Sequence, residues 1–320
     1  MDARDPASIA FNVAKLRRVI RLESVSMVHV RSRAPAFSAW AAARAERVPM
    51  VATYHGIYAA RSPLKRWYNS IMTRGDLVLA GSRVVADHIA SEHGLAADRI
   101  VLAQEGVDAD AFDPDQVSPA RVTAVRRSWG IEPGDTRQVL LLAGRLTALK
   151  GHELAIEALA RLRRRDTLLV LAGRLGNPGY EGRLREAART NGLADQVILP
   201  GPSTDMPAAY RAADFILAPS IAPESFGRTV AEAGASARPV IASHHGGPAE
   251  IVENAVTGWL VTPADPSAWA SALSTALETG ASVREQMGAA GRARVERSYS
   301  LERMCEATFD AYLRVLRSRT

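Results

Sequence analysis

Short apolar runs alternate along the chain with longer segments in which apolar residues recur every three or four positions. This alternation is typical of strands joined by helices, and it favours parallel sheets built from strand–helix–strand units. In the first part of the chain the pattern predicts strands at 26–30, 50–54, 77–80 and 100–103, and helices at 9–22, 37–47, 64–73 and 83–93.

The second part of the chain repeats the pattern more strongly. Its predicted strands are 138–143, 167–172, 196–199, 215–218, 240–242 and 259–261, and its predicted helices are 151–165, 180–191, 206–212, 228–236, 248–254 and 266–278. Six strands with intervening helices make a complete doubly wound domain. The first part has about four strands and opens on a helix, so we predict an incomplete domain of the same kind there.

The length of 320 residues favours two domains, because a single hydrophobic core rarely grows beyond about 250–300 residues. Turn-forming residues cluster in "EGVDADAFDPD", at 105–115, within a polar stretch that extends to residue 136. We therefore predict a first domain over 1–135 and a second over 136–300. A last helix, in the segment 301–320, is predicted to return to the first domain.

Composition narrows the class of protein. Hydrophobic residues make up 47% of the chain and charged residues 23%, which is typical of soluble globular proteins and argues against disordered and fibrous classes. The one cysteine, Cys305, excludes an internal disulfide and a cysteine metal cluster. No apolar run reaches the roughly 18 residues that span a bilayer, and the amino terminus has no signal-peptide core. We therefore expect a cytoplasmic protein.

Positive charge is concentrated in the first domain. The residues up to Glu105 include 15 basic and 9 acidic side chains, a net charge of +6, which equals that of the whole chain. A basic half suggests a polyanionic neighbour, either nucleic acid or an anionic membrane surface. The alternative is a solvated arginine-rich surface. Because no nucleic-acid-binding motif accompanies the charge, we expect no nucleic acid partner.

One basic stretch, "ARSPLKRWYNSIMTRGD", also carries aromatic residues. Cations interleaved with aromatic rings on one helix suit an anionic membrane interface, and a buried aromatic face beneath a solvated basic face is the alternative. The residues concerned are Arg61, Lys65, Arg66, Trp67, Tyr68 and Arg74.

Two glutamates, Glu224 and Glu232, lie eight positions apart in "APESFGRTVAE", just after a predicted strand. The loop at the carboxyl end of a strand is where doubly wound folds bind ligands, and the free N–H groups at the start of the next helix favour a phosphate. Glu224 precedes that helix and Glu232 lies one turn inside it, so the two carboxylates can meet different parts of one ligand. The alternative is a pair of ordinary surface glutamates.

A second element follows another strand of the same sheet. The strand in "LLLAGRLTALKGHELAIEAL" ends near Gly144, with Arg145 next and Lys150 at the start of the following helix. Two cations there can clamp a diphosphate, Arg145 in a fork and Lys150 as a point charge. Lys150 is one of three lysines in the chain, which weakens the alternative of an ordinary surface residue.

The motifs "AGRLTALKGHELAIEAL", "PSIAPESFGRTVAEAGASARPVIAS" and "HGGPAEIVENAVTGWLV" resemble the nucleotide-binding domain of retaining family 4 glycosyltransferases of the GT-B type. The stretches "VPMVATYHG", "GDLVLAGS" and "GVDADAFDP" are similar to that family's acceptor domain and hinge, so the resemblance covers nearly the whole chain. It implies an α/β fold with two doubly wound, Rossmann-like domains facing a cleft. The family's first strand and glycine-rich loop have no counterpart before Met1, so we expect an incomplete first domain.

The resemblance also implies roles for individual residues. Arg145 and Lys150 would neutralise the diphosphate of a nucleotide-sugar donor. Glu232 would hold the ribose hydroxyls, Glu224 the hydroxyls of the transferred sugar, and His55 would lie near that sugar. The remaining donor-binding positions, which act mainly through the backbone, are Gly144, Gly173, Arg174, Leu199, Pro200, Ser225, Phe226 and Gly227. Ser225 stands where the family often has glycine.

The implied reaction transfers a hexose-like sugar to a glycan or lipid-linked saccharide, in cell-envelope polysaccharide or lipopolysaccharide synthesis, with retention of the anomeric configuration. No metal or organic cofactor is expected. One alternative is a non-catalytic nucleotide-sugar-binding or partner subunit, which turnover measurements would distinguish. Another is a nucleotide-sugar epimerase, for which the only candidate acid–base groups are His55 and the pair His244 and His245.

Overall fold

The structure is a computed structural model that describes residues 6–58 and 62–318. Its contacts divide into two compact units, one formed by the residues up to Glu105 together with those from Glu302, the other by Gly106–Leu301. The division falls after Glu105 and not near residue 135, because Val125, Trp129 and Ile131 pack into the core of the second unit. The turn-forming residues at 105–115 correctly marked the place where the first unit ends. The segment that follows, up to residue 136, belongs to the second unit because its apolar side chains pack there.

Helices and strands alternate through both units. The first unit contains α1 (Pro6–Leu22), β1 (Val28–Val30), α2 (Arg33–Glu46), β2 (Met50–Tyr54), α3 (Pro63–Ser70), β3 (Leu77–Ala80), α4 (Arg83–His93) and β4 (Ile100–Leu102). The second contains α5 (Pro119–Ser128), β5 (Gln138–Ala143), α6 (His152–Leu162), β6 (Thr167–Ala172), α7 (Tyr180–Thr190), β7 (Val197–Gly201), α8 (Met206–Arg211), β8 (Phe215–Ala218), α9 (Arg228–Ala235), β9 (Val240–Ser243), α10 (Pro248–Ile251), β10 (Gly258–Val261), α11 (Pro266–Glu278) and α12 (Ala281–Ser298). The helix α13 (Leu301–Arg317) follows.

The sheet of the first unit is parallel, with strand order β1-β2-β3-β4. Side chains alternate between its two faces, as strand geometry requires. Ala52 and Tyr54 pack with the core beneath α2 and α4. Val51 faces the other way and packs with Ala311 and Val315 of α13, which explains why the terminal helix belongs to this unit.

The sheet of the second unit is also parallel, with strand order β10-β9-β8-β5-β6-β7. The chain builds outward from β5 through β6 to β7, then returns to the other side of β5 with β8. This order is that of a doubly wound domain, and it reverses between β5 and β8. The strands are almost entirely apolar, because helices cover both faces of a parallel sheet.

Two helices, α5 and α12, were not predicted from the sequence pattern. The buried side of α12 is formed by Met287, Gly288, Gly291 and Val295, so half of its contact face consists of glycines, which give no apolar signal. These glycines let α12 approach α9 closely, where a Cβ on Gly234 would lie 2.8 Å from Val295 Cγ2. In α5 only Val125 is fully buried, and its neighbours are largely polar.

The close approach of α12 predicts the effect of one methyl group. In Gly288→Ala the new Cβ would overlap the backbone carbonyl of Ala237, so the free energy of unfolding should fall by about 1–3 kcal/mol. Gly182→Ala in α7 is the matched control, because nothing lies within 4 Å of its Cβ position, and it should be neutral or stabilising by up to about 1 kcal/mol. Urea unfolding of both variants measures the difference. Equal stability of the two would contradict this packing.

Candidate functional site

The loops after β5 and β8 meet at the point where the strand order of the second unit reverses. The N–H of Ile221 donates to the carbonyl of Leu149 over 3.0 Å, which joins the two loops directly. Gly151 has a φ of +73°, and a Cβ there would overlap the carbonyl oxygen of Pro219. Glycine is therefore required at residue 151, both by its backbone angle and by the proximity of the second loop.

An ion pair links the two sequence motifs. Lys150 Nζ lies 2.8 Å from Glu224 Oε2, and both side chains are mostly buried, with exposed fractions of 28% and 22%. The hydroxyl of Ser220 donates to the other carboxylate oxygen, Oε1. The Glu224 carboxylate is therefore held at both oxygens, and its charge is balanced by the lysine.

A third loop, after β9, contacts the backbone of Glu224. The N–H of Gly247 donates to the Glu224 carbonyl over 2.8 Å, and His245 Nε2 donates to the Ser220 carbonyl over 2.8 Å. Gly246 has a φ of +65° and lies so close to the Glu224 backbone that a side chain would clash there. His245 thus acts on the shape of the loop, which leaves it poorly placed as an acid–base group.

The start of α9 completes the hollow around Glu224. Gly227, with a φ of +96°, precedes the first helical residue, Arg228. The ring of Phe226 is buried, 6.0 Å from the ring of Tyr299, so Phe226 can offer a ligand only its backbone. The hollow is lined by Leu142, Ala143, Lys150, Leu217, Ala218, Ser220, Glu224, Gly227, Thr229 and Val230.

Glu232 lies one helical turn further along α9, in a different environment. Its Oε2 accepts a hydrogen bond of 2.8 Å from the hydroxyl of Tyr210. Burial raises the pKa of Glu232, while the bond from Tyr210 and the charge of Arg228 act in the opposite direction. The two glutamates of the motif are therefore held by different partners.

The turns after β5, β6 and β7 form a continuous rim beside this hollow. The N–H of Gly144 donates to Ala172, and that of Gly173 donates to Gly201, over 2.9 and 3.0 Å. A Cβ on Gly173 would overlap the Gly144 carbonyl, which explains the glycine. The rim thus brings together five of the predicted donor-binding positions, Gly144, Gly173, Arg174, Leu199 and Pro200. Arg145, directly after Gly144, is exposed.

His55 lies in the first unit, directly after β2. Arg31 Nε donates to His55 Nε2 over 3.3 Å, and His55 Nδ1 lies 3.5 Å from Glu105 Oε1. With Nε2 as the acceptor, the ring carries its proton on Nδ1, toward the carboxylate. Nearby, burial lowers the pKa of His29 to about 4, so this ring is neutral where it contacts Tyr312 and Thr53.

These residues line a cavity of about 580 Å³ on the face of the sheet that α13 covers. Each of the four strands contributes residues at or near its carboxyl end to this cavity, and α13 contributes apolar side chains. The lining residues are His29, Arg31, Thr53, His55, Leu79, Gly81, Ala103, Glu105, Met304, Cys305, Glu306, Thr308, Phe309 and Tyr312. The cavity thus combines an apolar wall with a charged edge.

Sequence reasoning did not identify three partners of the site residues. Ser220 and Tyr210 hold the two glutamates of the second unit, and Glu105 lies beside His55. Ser220 was detectable in principle, because it follows Pro219 at the end of a strand. Tyr210 was not, because a whole strand separates it from Glu232. Within residues 6–58 and 62–318, no group of three or more His, Cys, Asp or Glu side chains is arranged to hold a metal.

Two family profiles match the chain. The family described as glycosyl transferases group 1 matches residues 126–294, which is more than half of the chain. The profile described as glycosyltransferase family 4 matches residues 2–111. The first match includes the hollow and the rim of the second unit, and the second includes His55 and Glu105.

Curated relatives are named for one activity. The chain is 32% identical over 295 residues to the D-inositol 3-phosphate glycosyltransferase of Xylanimonas cellulosilytica, with 88% of this chain and 70% of the relative covered. It is 32% identical to the protein of the same name from Salinispora tropica, with 76% of this chain covered. The chain spans about half, 52%, of the length of the Salinispora protein.

Solved structures match both units. A glycosyltransferase from Rickettsia africae superposes with a TM-score of 0.92 at 30% identity, covering 99% of this chain and 83% of that chain. Anabaena HepE in complex with UDP-glucose superposes with a TM-score of 0.82 at 23% sequence identity, and the match covers 94% of this chain and 81% of that chain. The lipopolysaccharide outer core galactosyltransferase WaaB superposes with a TM-score of 0.73 at 19% sequence identity, and the match covers 95% of this chain and 80% of that chain. Because the sequence identities to HepE and WaaB are low, these two matches concern the fold alone.

Proposed function

This chain belongs to the glycosyl transferases group 1 family, and from that premise we propose that it transfers a sugar from a nucleotide-diphosphate donor to a saccharide acceptor with retention of the anomeric configuration. The predicted fold, with two parallel-sheet α/β domains of the GT-B type, is confirmed. The observation that carries the proposal is the Lys150–Glu224 ion pair at the point where the strand order reverses.

The donor diphosphate is proposed to bind where positive charge collects. Lys150, the exposed Arg145 and the N–H groups at the start of α9 are the candidates for this contact. The reaction breaks the bond between the anomeric carbon and the diphosphate oxygen, so negative charge grows on the leaving group. Fixed cations and a helix start placed there stabilise the transition state more than the ground state. No metal or organic cofactor takes part in this proposal.

Glu224 is proposed to position the transferred sugar. Retaining enzymes often use a carboxylate nucleophile, but both oxygens of Glu224 are already engaged, one by Lys150 and one by Ser220. Such a carboxylate accepts hydrogen bonds from sugar hydroxyls more readily than it forms a bond to carbon. The acceptor hydroxyl then attacks from the side on which the diphosphate leaves, and its proton goes to a leaving phosphate oxygen.

The rim of glycine turns is the proposed place of the base. Its backbone groups lie at Gly144, Gly173 and the end of β7, next to the hollow that holds Lys150. HepE, which shares the fold, was solved with UDP-glucose, so UDP sugars are the first donors to test. GDP and ADP sugars complete the panel.

The cavity of the first unit is the proposed acceptor site. Its apolar wall, with Phe309 60% exposed, suits the face of a sugar ring, while Arg31 can donate hydrogen bonds to hydroxyl or anionic groups. The curated relatives are named for an inositol phosphate acceptor, and WaaB for the lipopolysaccharide outer core. A polyhydroxylated acceptor that carries phosphate, including lipid-linked and lipopolysaccharide saccharides, fits these observations.

A membrane surface is the proposed partner of the basic region. Leu64 and Trp67 on α3 are 74% and 53% exposed, next to Lys65. The structure adds α1, where Phe11, Val19 and Leu22 are exposed at helical spacing with Lys15 and Arg18 between them. In the described part of the chain no helix is long and apolar enough to span a bilayer, so contact would be at the surface.

Of the residues predicted for that contact, Lys65, Arg66, Trp67 and Arg74 are exposed and Tyr68 is half-buried, but several of them also have partners within the unit. Tyr68 packs on Phe37 at 5.4 Å, Arg66 pairs with Glu92 at 2.8 Å, and Arg74 lies over the ring of Trp40. Arg61 lies outside the described residues. The Phe37 ring also contacts Trp67, and the neighbouring Ser38 hydroxyl donates to the Ile9 carbonyl, so α2 contacts both α1 and α3.

Separate roles for the two glutamates predict separate kinetic effects. Glu232→Gln should weaken nucleoside diphosphate binding by about tenfold, because a charged acceptor is lost, while Glu224→Gln should chiefly lower kcat. Glu157→Gln on the exposed side of α6 is the control and should change neither. Calorimetric binding and transfer assays with UDP, GDP and ADP sugars give both quantities. Nucleotide binding without turnover in the wild type would favour the non-catalytic subunit, and unchanged binding and turnover in both variants would contradict the proposal.

The ion pair predicts a coupling between its members. Lys150→Met leaves an unpaired carboxylate beside the donor phosphates, so affinity for a nucleoside diphosphate should fall by about a hundredfold, and adding Glu224→Gln should restore about tenfold of it. Arg145→Met, whose side chain is exposed, should show the same loss with and without Glu224→Gln. A double-mutant cycle on the dissociation constant measures the coupling. Purely additive effects of Lys150→Met and Glu224→Gln would argue against a shared role.

Surface binding predicts a dependence on lipid charge. Two double variants test this contact: Leu64→Ser with Trp67→Ser removes exposed apolar side chains, and Lys15→Glu with Arg18→Glu reverses two positive charges. Each should lower flotation with phosphatidylglycerol vesicles several-fold, because apolar insertion and charge attraction both contribute to binding. Val283→Ser on α12 is an exposed apolar control in the other unit. Equal binding to phosphatidylcholine vesicles, or binding that does not fall with salt, would rule out the electrostatic contact.

A further inference from the structure

Tyr210 of α8 is fully buried, and its hydroxyl contacts a predicted donor-binding residue, Glu232. Its phenol belongs to the core of the second unit and packs 5.8 Å from the ring of Phe112. The hydroxyl donates to Glu232 Oε2 over 2.8 Å. A buried phenol thus reaches from the core to one oxygen of a carboxylate that the sequence motif places on the ligand side.

A comparison within the chain shows that this bond is not a general consequence of burial. Tyr180 is also almost fully buried, and its hydroxyl has no hydrogen-bond partner among the described residues. Burial of a tyrosine in this unit therefore does not by itself produce a partner for the phenol. The Tyr210 hydroxyl, which also contacts the Thr229 side chain, donates to one specific acceptor, Oε2 of Glu232 on α9.

We propose that Tyr210 is a positioning residue for nucleotide binding, whose hydroxyl holds the Glu232 carboxylate so that its other lone pairs accept the two ribose hydroxyls of the donor. This inference rests on the proposed function, and it adds the residue that makes the ribose contact selective. A carboxylate held at one oxygen loses little conformational freedom when it binds a diol, so more of the hydrogen-bond energy appears as affinity.

The same bond affects the charge of Glu232. The ionised carboxylate is the stronger acceptor for the two ribose hydroxyls, and burial opposes ionisation by raising the pKa of Glu232. The groups that favour ionisation are the Tyr210 hydroxyl, from α8, and Arg228, from the start of α9. Loss of the Tyr210 hydroxyl removes one of these two groups, so the pKa of Glu232 should rise further. On acidification, the variant should therefore lose nucleotide affinity at a higher pH than the wild type.

The decisive experiment compares Tyr210→Phe with Tyr180→Phe. Calorimetry is run with UDP, GDP and ADP and, for the nucleotide that binds the wild type, with its 2′,3′-dideoxy form. Tyr210→Phe should weaken ribonucleotide binding by about threefold to tenfold and leave dideoxynucleotide binding unchanged. Tyr180→Phe should change neither, and thermal unfolding without ligand shows whether Tyr210→Phe is folded.

Two further measurements separate positioning from general support of the core. In the Glu232→Gln background, Tyr210→Phe should cause little additional loss of ribonucleotide affinity, because both changes remove one interaction. In the single variant, the KM for the donor should rise with little change in kcat, and the pH at which affinity is half lost on acidification should move upward.

The outcomes distinguish this inference from the proposed function. If the wild type binds none of the three nucleotides, the proposed function fails and this inference fails with it. If the wild type binds a ribonucleotide but Tyr210→Phe binds it equally well, only the positioning role is refuted. An equal loss for ribo- and dideoxynucleotides would also refute it, because it would indicate a structural effect that does not involve the ribose.

Discussion

The candidate site depends on one topological constraint, the reversal of strand order between β5 and β8 in the second unit. At that point the loops of two adjacent strands lead to opposite sides of the sheet, so a space opens at the carboxyl edge that no crossover helix fills. Lys150 enters this space from one loop and Glu224 from the other, and their ion pair joins the two. The glycines at 151, 246 and 247 allow the loops to lie close enough for that contact.

The two glutamates of the motif have different surroundings in the fold. Glu224 lies in a loop at the edge of the hollow, where Lys150 contacts one carboxylate oxygen and the Ser220 hydroxyl the other. Glu232 lies on a helix above the core, where a buried phenol holds it and burial raises its pKa. This arrangement matches a ligand that has two separate sets of hydroxyl groups, each of which donates hydrogen bonds to a different carboxylate.

The first unit uses the same edge of a parallel sheet in a simpler way. Its four strands follow one another without a reversal, and one face is covered by α13, which comes from the end of the chain. Arg31, His55 and Glu105 follow three of these strands and therefore collect at one end of the sheet. The cavity there has an apolar wall because α13 is amphipathic and leaves part of its apolar face, including Phe309, exposed.

The alternation of apolar runs and helical periods determined the ten strands almost to the residue, since buried parallel strands are recognisable from their continuous apolar character. The sequence motifs also predicted Lys150, Glu224 and Glu232 as site residues, and the structure places Lys150 in contact with Glu224. What only the tertiary structure decided were contacts across the fold. Tyr210 and Glu232 are separated by a whole strand, and α12 packs through glycines. Local patterns report burial and periodicity within one element, whereas these contacts depend on which elements the sheet order places side by side.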